Sequence, residues 1–271
     1  MRIEGTTWVV TGGGNGMGRE LVLELLRRGG RVAAVDVRAD ALAETVALAQ
    51  AAERLSIHVV DITDRDAVQD LVPQVERAHG TVDGIINNAG IIQPFVPVAE
   101  LSYPDIERVL NVNLMGTIHM VKAFLPVLLA RPEGYIANVS SMGGFFPFPG
   151  QSMYGASKAA VKLLTEGLYA ELLETDVHVS VIMPGAVNTR ITQNSGVAGP
   201  VAPGDASRMP MTSAEDAAQI MLDGIARDRL HIFVGRDARL MNVAIRVAPK
   251  QAIRFIQKQM KALLGSSQTT G

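Results

Sequence analysis

Tyr154 and Lys158 stand four residues apart in Tyr154-Gly155-Ala156-Ser157-Lys158. On a helix that spacing puts both on one face. A free phenol titrates near ~10, too high for a base at neutral pH. An ammonium beside it favours the phenolate, so the pair can exchange a proton with an alcohol or ketone oxygen. Such a spacing is common on helices, and its meaning depends on its neighbours. Asn138-Val139-Ser140-Ser141 lies just upstream. There the Ser141 hydroxyl could bond a substrate oxygen; Ser140 is the other candidate, with an inward orientation the expectation for it. Asn113, in Asn111-Val112-Asn113-Leu114-Met115-Gly116, sits in a helical stretch. Its amide either holds a water that relays protons to Lys158 or caps backbone groups at a helix kink.

A second constellation lies near the N-terminus. In Thr11-Gly12-Gly13-Gly14-Asn15-Gly16-Met17-Gly18 the glycines let the backbone turn tightly and approach a pyrophosphate, and the helix that follows offers free N–H groups. By itself this is only a tight turn between a strand and a helix; the acid that ends the next strand gives it a partner. Asp36, 24 residues past Gly12, is placed to accept both hydroxyls of an adenosine ribose and to repel a 2′-phosphate. That favours NAD over NADP. Asn15 is neutral and offers no phosphate anchor, whereas Arg38 is basic and close; it is either a solvated residue opening the next helix or an anchor for NADPH. Asp61, which ends the third strand, and Ile62 after it suit an adenine amino group and its ring, and Asn87-Asn88-Ala89-Gly90 ends the fourth with small residues that let the chain pass a cofactor.

These sites need a scaffold that gathers strand ends on one edge. Strand patterns cover Thr7 to Thr11, Arg31 to Asp36, Ser56 to Asp61, Val82 to Asn87, Tyr135 to Ser140 and Val177 to Met183. Helical patterns cover Gly16 to Arg28, Ala39 to Ala52, Asp64 to His79, Val112 to Ala130 and Ser152 to Glu174. Near-continuous apolar strands alternating with helices predict an α/β fold, a doubly wound parallel sheet of Rossmann type covered on both faces. One domain over residues 1–264 is expected, with a disordered tail at 265–271. The stretch from Asn188 to Pro210, rich in Gly, Pro and Ser, has the character of a functional loop.

Taken together, the motifs resemble the short-chain dehydrogenase/reductase family. The resemblance rests on Thr11-Gly12-xxx-Gly16-x-Gly18, Asn87-Asn88-Ala89-Gly90, Asn113, Ser141 thirteen residues before Tyr154, Tyr154-xxx-Lys158 and Pro184-Gly185, in the family's order over about the first 190 residues. It implies that Tyr154 is the general acid/base and that Lys158 lowers its pKa and holds the nicotinamide ribose. Ser141 would orient the substrate and Asn113 support the proton relay. Pro184, Gly185, Val187 and Thr189 would line the nicotinamide pocket, the last two at the carboxamide. It also implies homotetramers or homodimers pairing through the helices 112–130 and 152–174.

Bulk properties narrow the rest. The chain has 271 residues, a net charge of −2 and no cysteine. Those values give no footprint for nucleic acid and exclude disulfides and thiol chemistry. No histidine has metal-ligand spacing. A strand-like run begins at about Thr6, which leaves no room for a signal peptide, and no uninterrupted apolar stretch reaches the ~18 residues of a spanning helix. A cytoplasmic location is expected. Three of the seven phenylalanines fall in Met142-Gly143-Gly144-Phe145-Phe146-Pro147-Phe148-Pro149, with Ile91, Ile92, Phe95 and Met153 near in the motif map. They either line a pocket for a hydrophobic or aromatic alcohol or ketone, or pack the core. Arg239 to Leu264 is amphipathic and basic, split by Pro249; packing on protein is the expectation, peripheral contact with a membrane the alternative. The functional expectation is an NAD-dependent alcohol dehydrogenase working reversibly as a ketone reductase. The alternatives are an NADPH-dependent carbonyl reductase and a dinucleotide-sensing scaffold without catalysis, against which the intact Asn113, Ser141, Tyr154, Lys158 set argues.

Overall fold

The computed structural model describes residues 1–197 and 211–265. Most of the Asn188–Pro210 loop and the 265–271 tail therefore lie outside the described residues. Strands β1 (Thr7–Thr11), β2 (Arg31–Asp36), β3 (Leu55–Val59), β4 (Gly84–Asn87), β5 (Gly134–Val139), β6 (Val177–Pro184) and β7 (His231–Val234) form one sheet. Its order is β3-β2-β1-β4-β5-β6-β7 and all its pairings are parallel. This is the expected Rossmann-type sheet with one more strand than the sequence patterns indicated. Four residues, His-Ile-Phe-Val, are too short a run to stand out as β7.

Side chains alternate across each strand, and the sheet uses both faces. Trp8 and Val10 face one core with Leu21, Leu25 and Met221; Val9 faces the other with Leu71, Phe124 and Ile136. Helices α1 (Gly16–Arg27) and α8 (Ala214–Ala226) cover the first face, while α3 (Arg65–His79) and α5 (Gly116–Leu129) cover the second. Between β1 and β4 the packing is tight at the foot of the strands. A Cβ on Gly84 would collide with the Trp8 ring, which itself is fully buried.

The order reverses between β1 and β4, since β2 lies on one side of β1 and β4 on the other. Parallel sheets bind ligands beyond their carboxyl ends at such a switch point. Helix α2 (Ala39–Leu48) follows β2, and α4 (Tyr103–Leu110) runs through a π-turn at Asn111–Met115 into α5. By length and composition this continuous helix, Tyr103–Leu129, could cross a membrane. Here Met120, Phe124 and Leu128 are fully buried in the core it forms with the sheet. Helix α6 (Ser152–Glu171) follows β5. After β6 come a short α7 (Ile191–Asn194) and α8, and after β7 the helices α9 (Arg236–Val247) and α10 (Pro249–Gly265). Proline opens α10, where its missing N–H costs nothing.

Candidate active site

The glycine turn joins β1 to α1. Asn15, extended at φ −154°, caps α1 by accepting from the Gly16 N–H at 2.7 Å. Gly12 and Gly16 adopt positive φ, +68° and +53°, conformations that glycine alone takes without strain. A Cβ on Gly18 would fall on the Gly12 carbonyl oxygen, so Gly18 serves packing beneath the turn. Thr11 Oγ1 accepts from the N–H groups of Asn88 and Ala89, both at 3.0 Å, and Asn88 Nδ2 donates to the Thr11 carbonyl. The ends of β1 and β4 are thereby tied together at the switch point.

Above these ends lies a cavity of about 280 Å³. It gathers Gly12, Asn15, Gly16, Met17, Asp36, Asp61, Ile62, Asn88, Ala89, Gly90 and Thr189, which come from five separate places in the sequence. Asp36 accepts from the backbone N–H groups of Gly14 and Arg38, each at 3.0 Å. A Cβ on Gly14 would press on that carboxylate at 2.9 Å. Asp61 lies two residues past β3 rather than at its end, and its side chain is turned to Thr63, accepting at 2.9 Å from the N–H and at 2.8 Å from the hydroxyl. The buried Oδ1 of Asn88 has no partner among the described residues. Bare glycine backbone, a helix N-terminus, a carboxylate at the far end and an acceptor lacking a donor together fit the adenosine and phosphate portions of a dinucleotide.

Pro184, Gly185 and Val187 do not line this cavity. Pro184 ends β6 and is buried; Gly185 is backed by the Asp237 carboxylate, which leaves no room for a Cβ; Val187 packs on the core and pairs with Thr212. Asp237 Oδ2 also accepts from the Ala186 N–H at 2.7 Å. This acid, at the start of α9, escaped the sequence reading because it lies 51 residues from its partner.

The second constellation sits where β5 meets α6. Ser141 caps the short turn Met142–Gly144, accepting from the Gly143 N–H at 3.0 Å. Ser140 turns inward as expected and donates to the Lys158 carbonyl at 2.7 Å. Lys158 is 4% exposed, and its Nζ donates to the Val139 carbonyl at 2.9 Å. A Cβ on Gly90 would lie 3.0 Å from Lys158 Nζ and 3.2 Å from Asn113 Oδ1, so the two constellations share a boundary there.

Asn113 sits in the π-turn with its carboxamide engaged. Nδ2 donates to the Ile91 carbonyl at 2.9 Å and to Ser157 Oγ at 3.0 Å, while Oδ1 accepts from the Ile91 N–H at 2.8 Å. Both donor hydrogens are used, and one lone pair of Oδ1 remains for a water. The geometry is that of an amide holding backbone groups at a kink.

Electrostatics here differ from the sequence expectation. Burial pushes the Tyr154 phenol above its ordinary value, and the group that offsets this is the Ser141 hydroxyl rather than Lys158. Burial also pulls Lys158 down, from 10.5 to about 8. Both shifts have one cause, the penalty on a charge removed from water. Lys158 therefore stays an ammonium at neutral pH and turns neutral as pH rises past about 8.

Gln93 was not singled out by its type or spacing. It is fully buried. Its Oε1 accepts from the N–H groups of Met153 and Tyr154 at 2.8 and 3.0 Å, two donors at the start of α6 that no helical carbonyl can reach. Nε2 donates to the Gly150 carbonyl, and Gln151 Nε2 returns a bond to the Gln93 carbonyl at 2.9 Å. The loop after β4 is thus stapled to the first turn of α6. Gln93→Leu keeps the volume and strands both N–H groups, each worth roughly 1–3 kcal/mol when buried without a partner. A lower urea midpoint is the expected result; an unchanged one would mean water replaces the amide. Ser195 makes a comparable tie, accepting from the Ile92 N–H at 3.0 Å through its hydroxyl and from Arg108 through its carbonyl.

Of the three phenylalanines after Ser141, Phe146 is core, 1% exposed. Phe145 and Phe148 are half-buried, edge-on to Phe233 and Phe146 at 6.1 and 5.8 Å. The packing reading holds for the first ring.

Comparison with known proteins agrees with this architecture. The family model for short chain dehydrogenases matches residues 6–198. SadH of Mycobacterium tuberculosis (strain H37Rv), whose name classes it with oxidoreductases, is 36% identical over 261 residues, 93% of this chain and 94% of its own. The 1-deoxy-11-beta-hydroxypentalenate dehydrogenase of Streptomyces avermitilis is 35% identical over 88% of each chain. Among solved structures, a short-chain dehydrogenase/reductase from Burkholderia phymatum in complex with NAD superposes with a TM-score of 0.81 at 30% identity, covering 91% of this chain and 96% of that one. A short chain dehydrogenase from Burkholderia cenocepacia J2315 in complex with NADP gives 0.80 at 27% identity, covering 94% and 99%. With the family model spanning more than half of the chain and SadH matching nearly all of it, this protein belongs to the short-chain dehydrogenase/reductase family.

Proposed function

We propose that the chain is an NAD-dependent oxidoreductase acting on a hydrophobic secondary alcohol or the corresponding ketone. The observation that carries the cofactor assignment is Asp36. Its carboxylate lines the cavity at the end of β2, oriented by two backbone N–H groups, where an adenosine ribose would offer hydroxyl donors. A 2′-phosphate at that place would meet a like charge. Arg38 favours the NADPH reading, because it lines the same cavity. It is already paired with Asp40 at 2.6 Å, and that ion pair is exposed.

When bound, NAD supplies the hydride acceptor. The chain's own groups handle the proton and the substrate oxygen. Ser141 donates to that oxygen and fixes its place, and the Tyr154 phenolate accepts the alcohol proton as the carbon gives up its hydride. Ketone reduction reverses this, with the phenol returning the proton. Lys158, on the same helix face, would favour the phenolate through its charge when the site is loaded and would bond the nicotinamide ribose; Val187 and Thr189 would hold the carboxamide, beside Pro184 and Gly185. Phe145 and Phe148 support the hydrophobic substrate class, as does a relative named for a hydroxy compound, 1-deoxy-11-beta-hydroxypentalenate. Exposed Leu163, Tyr169 and Leu173 in and after α6, at 70%, 40% and 63%, support pairing of subunits through that helix.

The test is a panel of alcohols and ketones followed by NADH absorbance, with both cofactors. Hydrophobic secondary alcohols with NAD are the expected best pair. Faster turnover of small polyols would sink the substrate class, and tighter binding of NADPH would sink the role of Asp36. Asp36→Asn is expected to narrow the preference for NAD by roughly ten-fold or more, since opposed like charges cost on the order of a few kcal/mol. Titration of NADH and NADPH binding reads this directly.

A further inference from the structure

The charge of the chain is divided along its length. No aspartate or glutamate follows Asp237, whereas Arg239, Arg246, Lys250, Arg254, Lys258 and Lys261 do. Of 25 basic and 27 acidic residues in all, residues 1–237 hold 19 and 27, a balance of −8, and the last 34 residues hold six and none, +6. A chain near neutrality thus ends in a concentrated cationic segment.

That segment is also apolar on its outside. Leu240, Val243 and Val247 recur at helical spacing on α9 and are 63%, 58% and 78% exposed. They share a stripe directed away from buried Ala238. Exposed Arg239 and Arg246 flank that stripe. Helix α10 packs chiefly on α9 and buries Ala252 and Met260, leaving Ile253 and Phe255 exposed at 44% and 52%. Lys250, Arg254 and Lys258, four apart, make a cationic row along α10.

We infer that the α9–α10 pair docks on an anionic phospholipid surface. Such a surface supplies both things this face lacks: an apolar medium for the aliphatic stripe and phosphate charge for the cations beside it. A second copy of the same face meets the first requirement only, because two-fold pairing would set cation against cation. Nucleic acid meets the second only, as its bases stack on aromatic rings and the apolar side chains exposed here are aliphatic apart from Phe255. The location gives the docking a purpose. Asp237, which opens α9, bonds the Ala186 N–H in the loop after β6, and α9 packs on the turn that follows Ser141. Docking therefore holds the site beside the bilayer. The inference concerns binding alone and stands apart from the substrate class proposed above.

Co-sedimentation of the full-length protein with vesicles tests it. Vesicles of phosphatidylcholine plus phosphatidylglycerol should carry the protein down, phosphatidylcholine alone should not, and added salt should release it. Combining Arg246→Gln, Lys250→Gln and Arg254→Gln should weaken binding on the order of a hundred-fold, at about five-fold per cation. Leu240→Ser with Val247→Ser should weaken it as well. These residues are exposed, so the unfolding midpoint and turnover in free solution should hold. No sedimentation with anionic vesicles, equal sedimentation with neutral ones, or binding indifferent to both variants would overturn the inference. So would sedimentation velocity showing dimers that the same substitutions dissociate, which would assign the face to a second copy.

Discussion

Tyr154→Phe is expected to lower kcat by about 10²–10⁴-fold, the range supplied by a positioned proton donor, while NADH binding followed by fluorescence titration stays intact. The substitution removes one oxygen and keeps the ring. The Tyr154 N–H bond to Gln93 is a backbone bond and survives, so the first turn of α6 keeps its place. What is lost is the group proposed to move the proton. Burial holds the free phenol above its ordinary value, so the resting residue is an acid ready to protonate a ketone. Oxidation of an alcohol needs the phenolate and should rise with pH, while reduction should not. If the variant retains turnover, Ser141, whose hydroxyl offsets the burial of the same phenol, becomes the candidate for the proton.

Lys158→Met is expected to abolish turnover and, at pH 7, to make the protein more stable. In the folded chain Lys158 titrates near 8 against 10.5 for an ordinary lysine. Folding at pH 7 therefore buries an ammonium at a cost of about 3 kcal/mol, at 1.36 kcal/mol per unit. Methionine removes this cost and loses the hydrogen bond to the Val139 carbonyl, worth about 1 kcal/mol. A net gain of about 2 kcal/mol follows. The sign with pH is set by the lowered folded value. The unfolded chain binds the extra proton between pH 8 and 10.5, so wild-type stability climbs across that window and the penalty is full below it. The advantage of the variant should thus disappear by pH 10. Urea unfolding at pH 7 and pH 10 checks both halves; a variant less stable at pH 7 would mean the ammonium is well solvated where it sits.

Residues near one another in sequence, or fixed by backbone demands, were legible before the fold was seen. Gly12 and Gly16 signal a turn by what they lack, and Asp36 is placed by strand length alone; both arrive at one cavity. Long apolar strands announced six of the seven, whereas β7 is too short to carry a pattern. Partners far apart were not legible. Gln93 reaches Tyr154 across 61 residues and Ser195 reaches Ile92 across 103, and nothing in a lone glutamine or serine signals either. Nor can spacing give the direction of a pKa. Four residues put Lys158 on the same face as Tyr154, but depth decided that both would be pushed toward neutrality. For Phe146 the residue type allowed pocket or core, and only packing chose the core.

The meeting of Trp8 and Gly84 at the foot of β1 and β4 bears on how this sequence can diverge. The indole fills the space that any side chain at 84 would need. Neither position can change freely while the other stays. A side chain at 84 becomes admissible only after Trp8 has shrunk, and a shrunken Trp8 leaves a hole until 84 has grown. The two are expected to covary among descendants, large at one place and small at the other. Because β1 and β4 flank the crevice at their opposite ends, the pair sets a spacing that the dinucleotide cavity inherits. Drift at the foot of the sheet is thereby coupled to selection at its top, although Trp8 and Gly84 do not line that cavity.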